Sequence, residues 1–251
     1  MVSKNQIKYI HQLELKKFRK NDGLFIAEGH KVVGDLLAAG YRPAQLYATA
    51  EWIASNQIAN AIEVTNDELA RLSLQQHPQQ VLALFPIPKT SLFTINSSLF
   101  SSKLSILLDN IQDPGNLGTI IRIADWFGID TIFCSIGTVD AWNPKVVQAT
   151  MGSIARVNII YIDPQQLFDS LPADFPVYGT FLDGQDIYTQ DLSAHGLIVM
   201  GNEGNGISDT VRTRISRHLL IPSFHRGNTA DSLNVAIATA ITCSEFRRRR
   251  L

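Results

Sequence analysis

The second half of this 251-residue chain carries the pattern that most constrains its fold: an apolar strand running into a small-residue loop and then a helix, written twice. Gly196-Leu-Ile-Val-Met-Gly-Asn-Glu-Gly-Asn-Gly-Ile-Ser208 reads as a buried strand, a glycine-rich loop and a helix start. Ile106-Leu-Leu-Asp-Asn-Ile-Gln-Asp-Pro-Gly-Asn-Leu-Gly-Thr-Ile-Ile-Arg122 repeats the order upstream. Strands without polar alternation are buried on both faces, and helices between them imply a parallel sheet covered on both sides. Leu220-Ile-Pro222 supplies another short strand, and Ser232-Leu-Asn-Val235 opens a final apolar helix. Two strand ends and one helix start, brought together, wall a small-molecule pocket from backbone groups.

The upstream part has its own elements. Ile7, Ile10, Leu13 and Phe18 fall at helical spacing and predict one helix to about Lys20. Gly23–Gly29, Gln45–Thr49, Ile62–Thr65 and Val81–Phe85 read as strands, with helices over His30–Ala39 and from Asn66 or Asp67 to Leu74. Prolines at 86 and 88 and paired serines at 97–98 and 101–102 mark a linker. The expected division is therefore a smaller α/β domain over 1–90, a linker over 91–103, and a parallel-sheet α/β domain over 104–251. Helices are expected there from about Leu117 and about Pro144. The strands are Thr131–Cys134, Asn158–Ile162, Val177–Phe181, Leu197–Met200 and Leu219–Ile221.

The net charge of −1 does not mark a nucleic-acid binder. Charge is unevenly placed, however. Lys4, Lys8, Lys16, Lys17, Arg19 and Lys20 face only Glu14 and Asp22 near the start, and the chain closes on Arg247–Arg250. Such clusters are either a polyanion patch or solvated helix faces. Cys134 and Cys243 lack metal-type spacing and read as core residues of a reducing compartment, so no metal is expected. The start lacks a signal peptide's apolar core, and no apolar run approaches the ~18 residues of a membrane span. These features predict a cytoplasmic protein without membrane contact.

The glycine loops exclude two nucleotide folds. Gly201, Gly204 and Gly206 give G-x-x-G-x-G, the reverse of the dinucleotide fingerprint, and Leu220–Pro222 stand where its acidic ribose ligand belongs. Gly115-Asn-Leu-Gly118 is not followed by the Gly-Lys-Ser/Thr of a P-loop. Taken singly, each loop is explained as a helix start, with Asn116 or Ser232 as caps and Glu203 near a positive helix terminus. That account leaves Arg122, inside an apolar helix, without a reason.

Three ordered motifs carry a resemblance. Asn110-x-x-Asp113-Pro-x-Asn116-x-Gly118-x-x-x-Arg122-x-Ala124-x-x-Phe127-Gly128 comes first, then Gly201-Asn-Glu203-Gly-x-Gly206-Ile-Ser208, then Ile221-Pro222 with Ser232-Leu-Asn234-Val235. Together they resemble the SpoU (TrmH) family of RNA 2′-O-ribose methyltransferases. Lys17-x-Arg19-x-x-x-Gly23-Leu-Phe-Ile-Ala-Glu28-Gly29 resembles the substrate-binding domain that precedes the catalytic domain in many members. One segment departs from the family pattern: Ser223–Asp231 is longer than usual, with Gly227 in its middle.

The resemblance implies a C-terminal trefoil knot, a homodimer, and S-adenosylmethionine as methyl donor. It places the donor against Gly201, Ile221 and Leu233, with Thr180 and Leu182 as additions. Arg122, Asn116, Glu203, Ser232 and Asn234 become the candidate catalytic set. An arginine is effectively always protonated, so holding the phosphate beside the 2′-hydroxyl is an easier role for Arg122 than abstracting its proton. Lys16, Lys17, Arg19, Lys20 and Arg122 are the expected RNA contacts. Members with such an N-terminal domain more often resemble enzymes of ribosomal RNA than of transfer RNA. The alternatives are a transfer-RNA enzyme, a catalytically silent RNA-binding factor of the same fold, and a base methyltransferase. The intact polar set speaks against the silent factor, and the Ser232-Leu-Asn234 motif against base chemistry.

Overall fold

The computed structural model describes residues 2–58, 60–88, 103–225, 227 and 231–248. These fall into two compact units, one drawn from Met1–Lys89 and Asp140–Arg156, the other from Thr90–Val139 and Val157–Leu251. Apart from Lys103, the expected linker lies outside the described residues.

The first unit begins with α1 (Lys4–Gln12), α2 (Lys16–Asp22), β1 (Leu24–Glu28), α3 (His30–Ala38) and β2 (Gln45–Ala48). It continues through α4 (Ala50–Asn56), β3 (Ile62–Glu63), α5 (Asn66–Leu72) and β4 (Val81–Pro86). The sheet order is β1-β4-β2-β3, with β4 antiparallel to both neighbours and β3 parallel to β2. Ile10 and Leu13 are buried against Ile26, Leu69, Leu72 and Leu82.

The single opening helix expected from the sequence is two. Leu15 is extended (φ −90°, ψ 128°), and α2 starts after it. The break leaves the carbonyls of Leu13 and Glu14 in need of donors. Arg19 Nη1 donates to both, at 2.8 and 2.6 Å. Its Nε and Nη2 donate to Asp140 Oδ2 at 3.1 and 2.6 Å. Arg19 is consequently 2% exposed and is removed from the expected RNA contacts, whereas Lys16, Lys17 and Lys20 are exposed.

The later chain runs β5 (Leu104–Leu108), α6 (Pro114–Trp126), β6 (Thr131–Cys134), α7 (Pro144–Ala149), β7 (Asn158–Tyr161), α8 (Pro164–Ser170) and β8 (Val177–Asp186). It closes with β9 (Gly196–Met200), α9 (Asp209–Arg212), β10 (Arg217–Leu220) and α10 (Val235–Arg248). Helix α7 belongs to the first unit, where Trp142 packs on Phe25 with ring centroids 4.6 Å apart. The second unit is a parallel sheet of order β10-β8-β9-β5-β6-β7. Every residue of β5, β6 and β9 is buried, as continuous apolar strands require. Cys134 and Cys243 lie in the core, and burial pushes both thiols up, Cys243 to about 12.

Strand β8 is longer than expected, and its pairing with β10 jumps. His218 pairs with Gly179, but the next residue, Leu219, pairs with Gln185. Residues 180–184 are thereby pushed out of the ladder. A Cβ on Gly184 would lie 2.5 Å from the Leu219 carbonyl carbon, so the return to β10 needs a residue without a side chain. Among the described residues no helix is long and apolar enough to cross a membrane.

Candidate active site

Helix α6 starts earlier than the spacing of its apolar residues suggests. Asp113, not Asn116, is its N-cap: Asp113 Oδ1 accepts from Asn116 N at 2.8 Å, and Pro114 takes the first turn. The Asn116 side chain is therefore free to bond elsewhere. At α10 the cap is Asn234, whose Oδ1 accepts from Ala236 N (3.0 Å) and Ile237 N (3.3 Å). Ser232, expected as that cap, is left outside the helix.

Three of the expected polar residues join in one chain. Asn234 Nδ2 donates to Asn116 Oδ1 at 2.9 Å, and Asn116 Nδ2 donates to Glu203 Oε1 at 3.0 Å. Glu203 also accepts from Asp113 N and Gln112 N, both at 3.3 Å. Its carboxylate thus meets the N–H groups leading into α6, where the helix dipole favours negative charge.

Asn202 builds the loop that carries Glu203. Its Oδ1 accepts from Gly204 N (2.9 Å) and Asn205 N (3.0 Å), and its Nδ2 donates to Asn110 O (2.6 Å) and to Glu203 Oε2 (3.4 Å). Asp109 Oδ2 accepts from Ser208 N at 2.8 Å and holds the loop's far end. Asn202 and Asp109 were not among the expected site residues. The Asn-x-Gly of Asn202–Gly204, a turn-forming pattern, was the available signal for the first.

Beside this network lies a cavity of about 790 Å3, in the range of roughly 300–1,000 Å3 usual for small-molecule sites. Gly201, Ile221, Leu233, Thr180 and Leu182 all line it, as do Glu203 and Ser232. One wall is the backbone of Gly201–Gly206, and apolar surface comes from Ile207, Ile221, Leu233 and Val235. A Cβ on Gly201 would lie 2.3 Å from both the Gly206 carbonyl carbon and Ile207 N, so the loop folds this tightly only on glycine. At the rim, Arg212 Nη2 donates to Asp183 Oδ2 at 2.7 Å, and its guanidinium carbon stands 4.3 Å from the Phe181 ring centroid. Arg212's hydrogen bond holds the Asp183 carboxyl below its usual range. Backbone polar groups between apolar faces suit a nucleoside: the ring is sandwiched and its edges find N–H and C=O partners.

Asn116, Asn234 and Arg122 are not in the lining. The two asparagines reach the cavity through Glu203. Arg122 lies roughly 9 Å further along α6 and about 120° round from Asn116. It is exposed and makes no hydrogen bond or ion pair among the described residues. The structure thus gathers the residues expected to hold the donor with Glu203 and Ser232, links Asn116 and Asn234 to them, and leaves Arg122 apart. Of the longer loop, Arg226 and residues 228–230 lie outside the described residues, and Gly227 has φ 113°.

Known proteins resemble this chain in sequence and fold. Residues 103–244 match the SpoU rRNA Methylase family, and residues 4–83 match the MRM3-like substrate binding domain. The 23S rRNA (guanosine(2553)-2′-O)-methyltransferase RlmP of Bacillus subtilis is 30% identical, over 98% of this chain and 97% of its own. Among solved structures, a TrmH-family protein from Porphyromonas gingivalis is 40% identical with a TM-score of 0.87, over 99% of each chain. An AdoMet-bound rRNA methyltransferase from Sinorhizobium meliloti is 31% identical with a TM-score of 0.87, over 100% of this chain and 98% of that one.

Proposed function

The chain belongs to the SpoU rRNA Methylase family, and on that footing we propose that it methylates a ribose 2′-hydroxyl of ribosomal RNA, with S-adenosylmethionine as donor. The observation that carries this reading is the hydrogen-bonded chain Glu203–Asn116–Asn234, which ties all three motifs together at a nucleoside-sized cavity. A sulfonium donor supplies an electrophilic methyl group and needs no metal.

The residues then divide the work. The backbone of Gly201 and the apolar side chains of Ile221 and Leu233 hold the donor, with Thr180 and Leu182 completing the lining. Ser232 and the asparagine amides orient the acceptor ribose, and Glu203 fixes the amides. Arg122 grips the phosphate beside the 2′-hydroxyl and places the oxygen by orientation. Lys16, Lys17 and Lys20 line the outside of α2 and give the N-terminal domain a cationic contact for RNA. The division into a substrate domain over 1–90 and a catalytic domain over 104–251 is part of this proposal, as is a cytoplasmic setting.

So are the homodimer and the knot. Trp126 on α6 is 86% exposed and Ile237 on α10 is 52% exposed, two separate apolar side chains that a second copy would cover. The knot follows the family resemblance, and it is consistent with Leu220–Ser223 and Asp231–Leu233 lining the same cavity as Thr180–Asp183 of β8 and Gly201–Ile207 after β9.

The test is transfer of labelled methyl from S-adenosylmethionine to unmodified ribosomal and transfer RNA, with digestion to nucleosides. Label is expected in ribosomal RNA as a 2′-O-methyl nucleoside. Arg122→Ala is expected to keep donor binding and to lose transfer by orders of magnitude. Label on a base, or in transfer RNA alone, would refute the assignment.

A further inference from the structure

Phe224 is 87% exposed, although its ring is a large apolar surface that favours burial. Single exposed apolar residues are common on surfaces, but this one has a particular place. Ile221, Pro222 and Ser223 line the donor cavity, and Phe224 is the next residue outward. One Cα step, about 3.8 Å, separates it from the wall. His225 N donates to Ser223 Oγ at 3.4 Å, so the chain turns just as it leaves the cavity. In sequence the aromatic ring is followed by His225 and Arg226, an aromatic beside groups that pair with phosphate.

We propose that Phe224 is a stacking platform for an unpaired base of the RNA at the methylation site. This rests on the reading of the cavity as the donor site of an RNA ribose methyltransferase. A ribose that presents its 2′-hydroxyl to that cavity brings its base to the rim, out of any helical stack. Unstacked bases are held on aromatic faces, and each such contact is worth roughly 1–3 kcal/mol. Leu182 and Leu233 also expose apolar surface, but they line the cavity itself and offer no flat ring.

The experiment compares full-length wild type, Phe224→Ala, Phe224→Leu and Phe224→Trp. Donor affinity is read by calorimetry with S-adenosylmethionine, and methyl transfer is read on a large-subunit ribosomal RNA transcript. Phe224→Ala is expected to raise KM for the transcript about tenfold, within the roughly 5–150-fold that the stacking energy spans, with donor affinity unchanged. Phe224→Leu should not recover it and Phe224→Trp should. An unchanged KM in Phe224→Ala overturns the proposal. So does full recovery by leucine, which would make the residue an apolar cover, or a parallel loss of donor affinity, which would make it a donor lid. If wild type methylates no RNA, the enzymatic reading has failed first. Filter binding of the same transcript then decides the stacking role alone: tenfold weaker binding by the alanine variant supports it, and equal binding overturns it.

Discussion

Asn116 Oδ1 accepts a hydrogen bond from Asn234 Nδ2 at 2.9 Å, joining the first turn of α6 to the cap of α10 across more than a hundred residues of sequence. Each asparagine is fixed from behind. Asn234 spends its oxygen on Ala236 N and Ile237 N, and Asn116 spends an amide hydrogen on Glu203. Among the described residues the second hydrogen of each amide has no acceptor, which leaves it for an oxygen of a bound ribose.

The surroundings of Glu203 accept only an acceptor. Four donors face its two oxygens: Asn116 Nδ2, Asp113 N, Gln112 N and Asn202 Nδ2. Glu203→Gln turns an NH2 group against some of them and removes charge-assisted bonds worth about 1.5–3 kcal/mol. The expected result is a fall in kcat of roughly 10–100-fold with donor affinity held within a few-fold. Single-turnover kinetics beside calorimetry checks this, and an equal loss of both would make Glu203 a structural part of the donor wall.

Gly201→Ala drives a methyl group into the Gly206–Ile207 backbone at 2.3 Å. The loop must open, at a cost of about 1–3 kcal/mol. Because the same loop is a wall of the cavity, S-adenosylmethionine affinity should fall about tenfold or more, measured by calorimetry. Gly204→Ala is the control, since a Cβ there meets nothing nearer than 3.6 Å.

Asp140→Ala leaves the Arg19 guanidinium buried without its carboxylate. Breaking one half of such a pair costs about 3–5 kcal/mol, so urea unfolding should show a large loss of stability. Donor binding in the folded variant should be unchanged. Arg19→Lys should be nearly as damaging, because a single ammonium cannot reach Leu13 O, Glu14 O and Asp140 together.

Glu28 gives a pH dependence with a definite sign. Burial raises its pKa, against the opposing hydrogen bonds from Ser73 Oγ and Leu74 N. An acid whose folded pKa lies above its unfolded value favours the fold when protonated, and that advantage is lost as pH rises from the unfolded to the folded pKa. Glu28→Gln removes the charged form. It should therefore gain stability relative to wild type at pH 7.5, with the difference shrinking below about pH 4. Paired urea titrations at the two pH values test the sign.

Much of the fold is legible in the sequence. The runs at Ile106–Leu108, Thr131–Cys134 and Leu197–Met200 read as parallel strands because no charged residue interrupts them, and all are buried. The small helices α4 and α8 escaped a reading by apolar periodicity, although Thr49 and Asp163 cap them, with Pro164 at the first turn of α8. They are too short for the period to show, and their signals lie in the caps.

By itself the sequence determined the parallel α/β class and the three motifs, because periodicity, glycine and spacing are local properties, and the residues expected around a donor came from the family resemblance those motifs carry. Which polar side chains meet was decided only by tertiary structure. Arg19 looked like one more cation in a basic helix until Asp140, far along the chain, turned it inward. Asn116 looked like a cap until Asp113 took that role and left its amide to Glu203 and Asn234. Burial and hydrogen bonding depend on partners distant in sequence, and no local pattern encodes them.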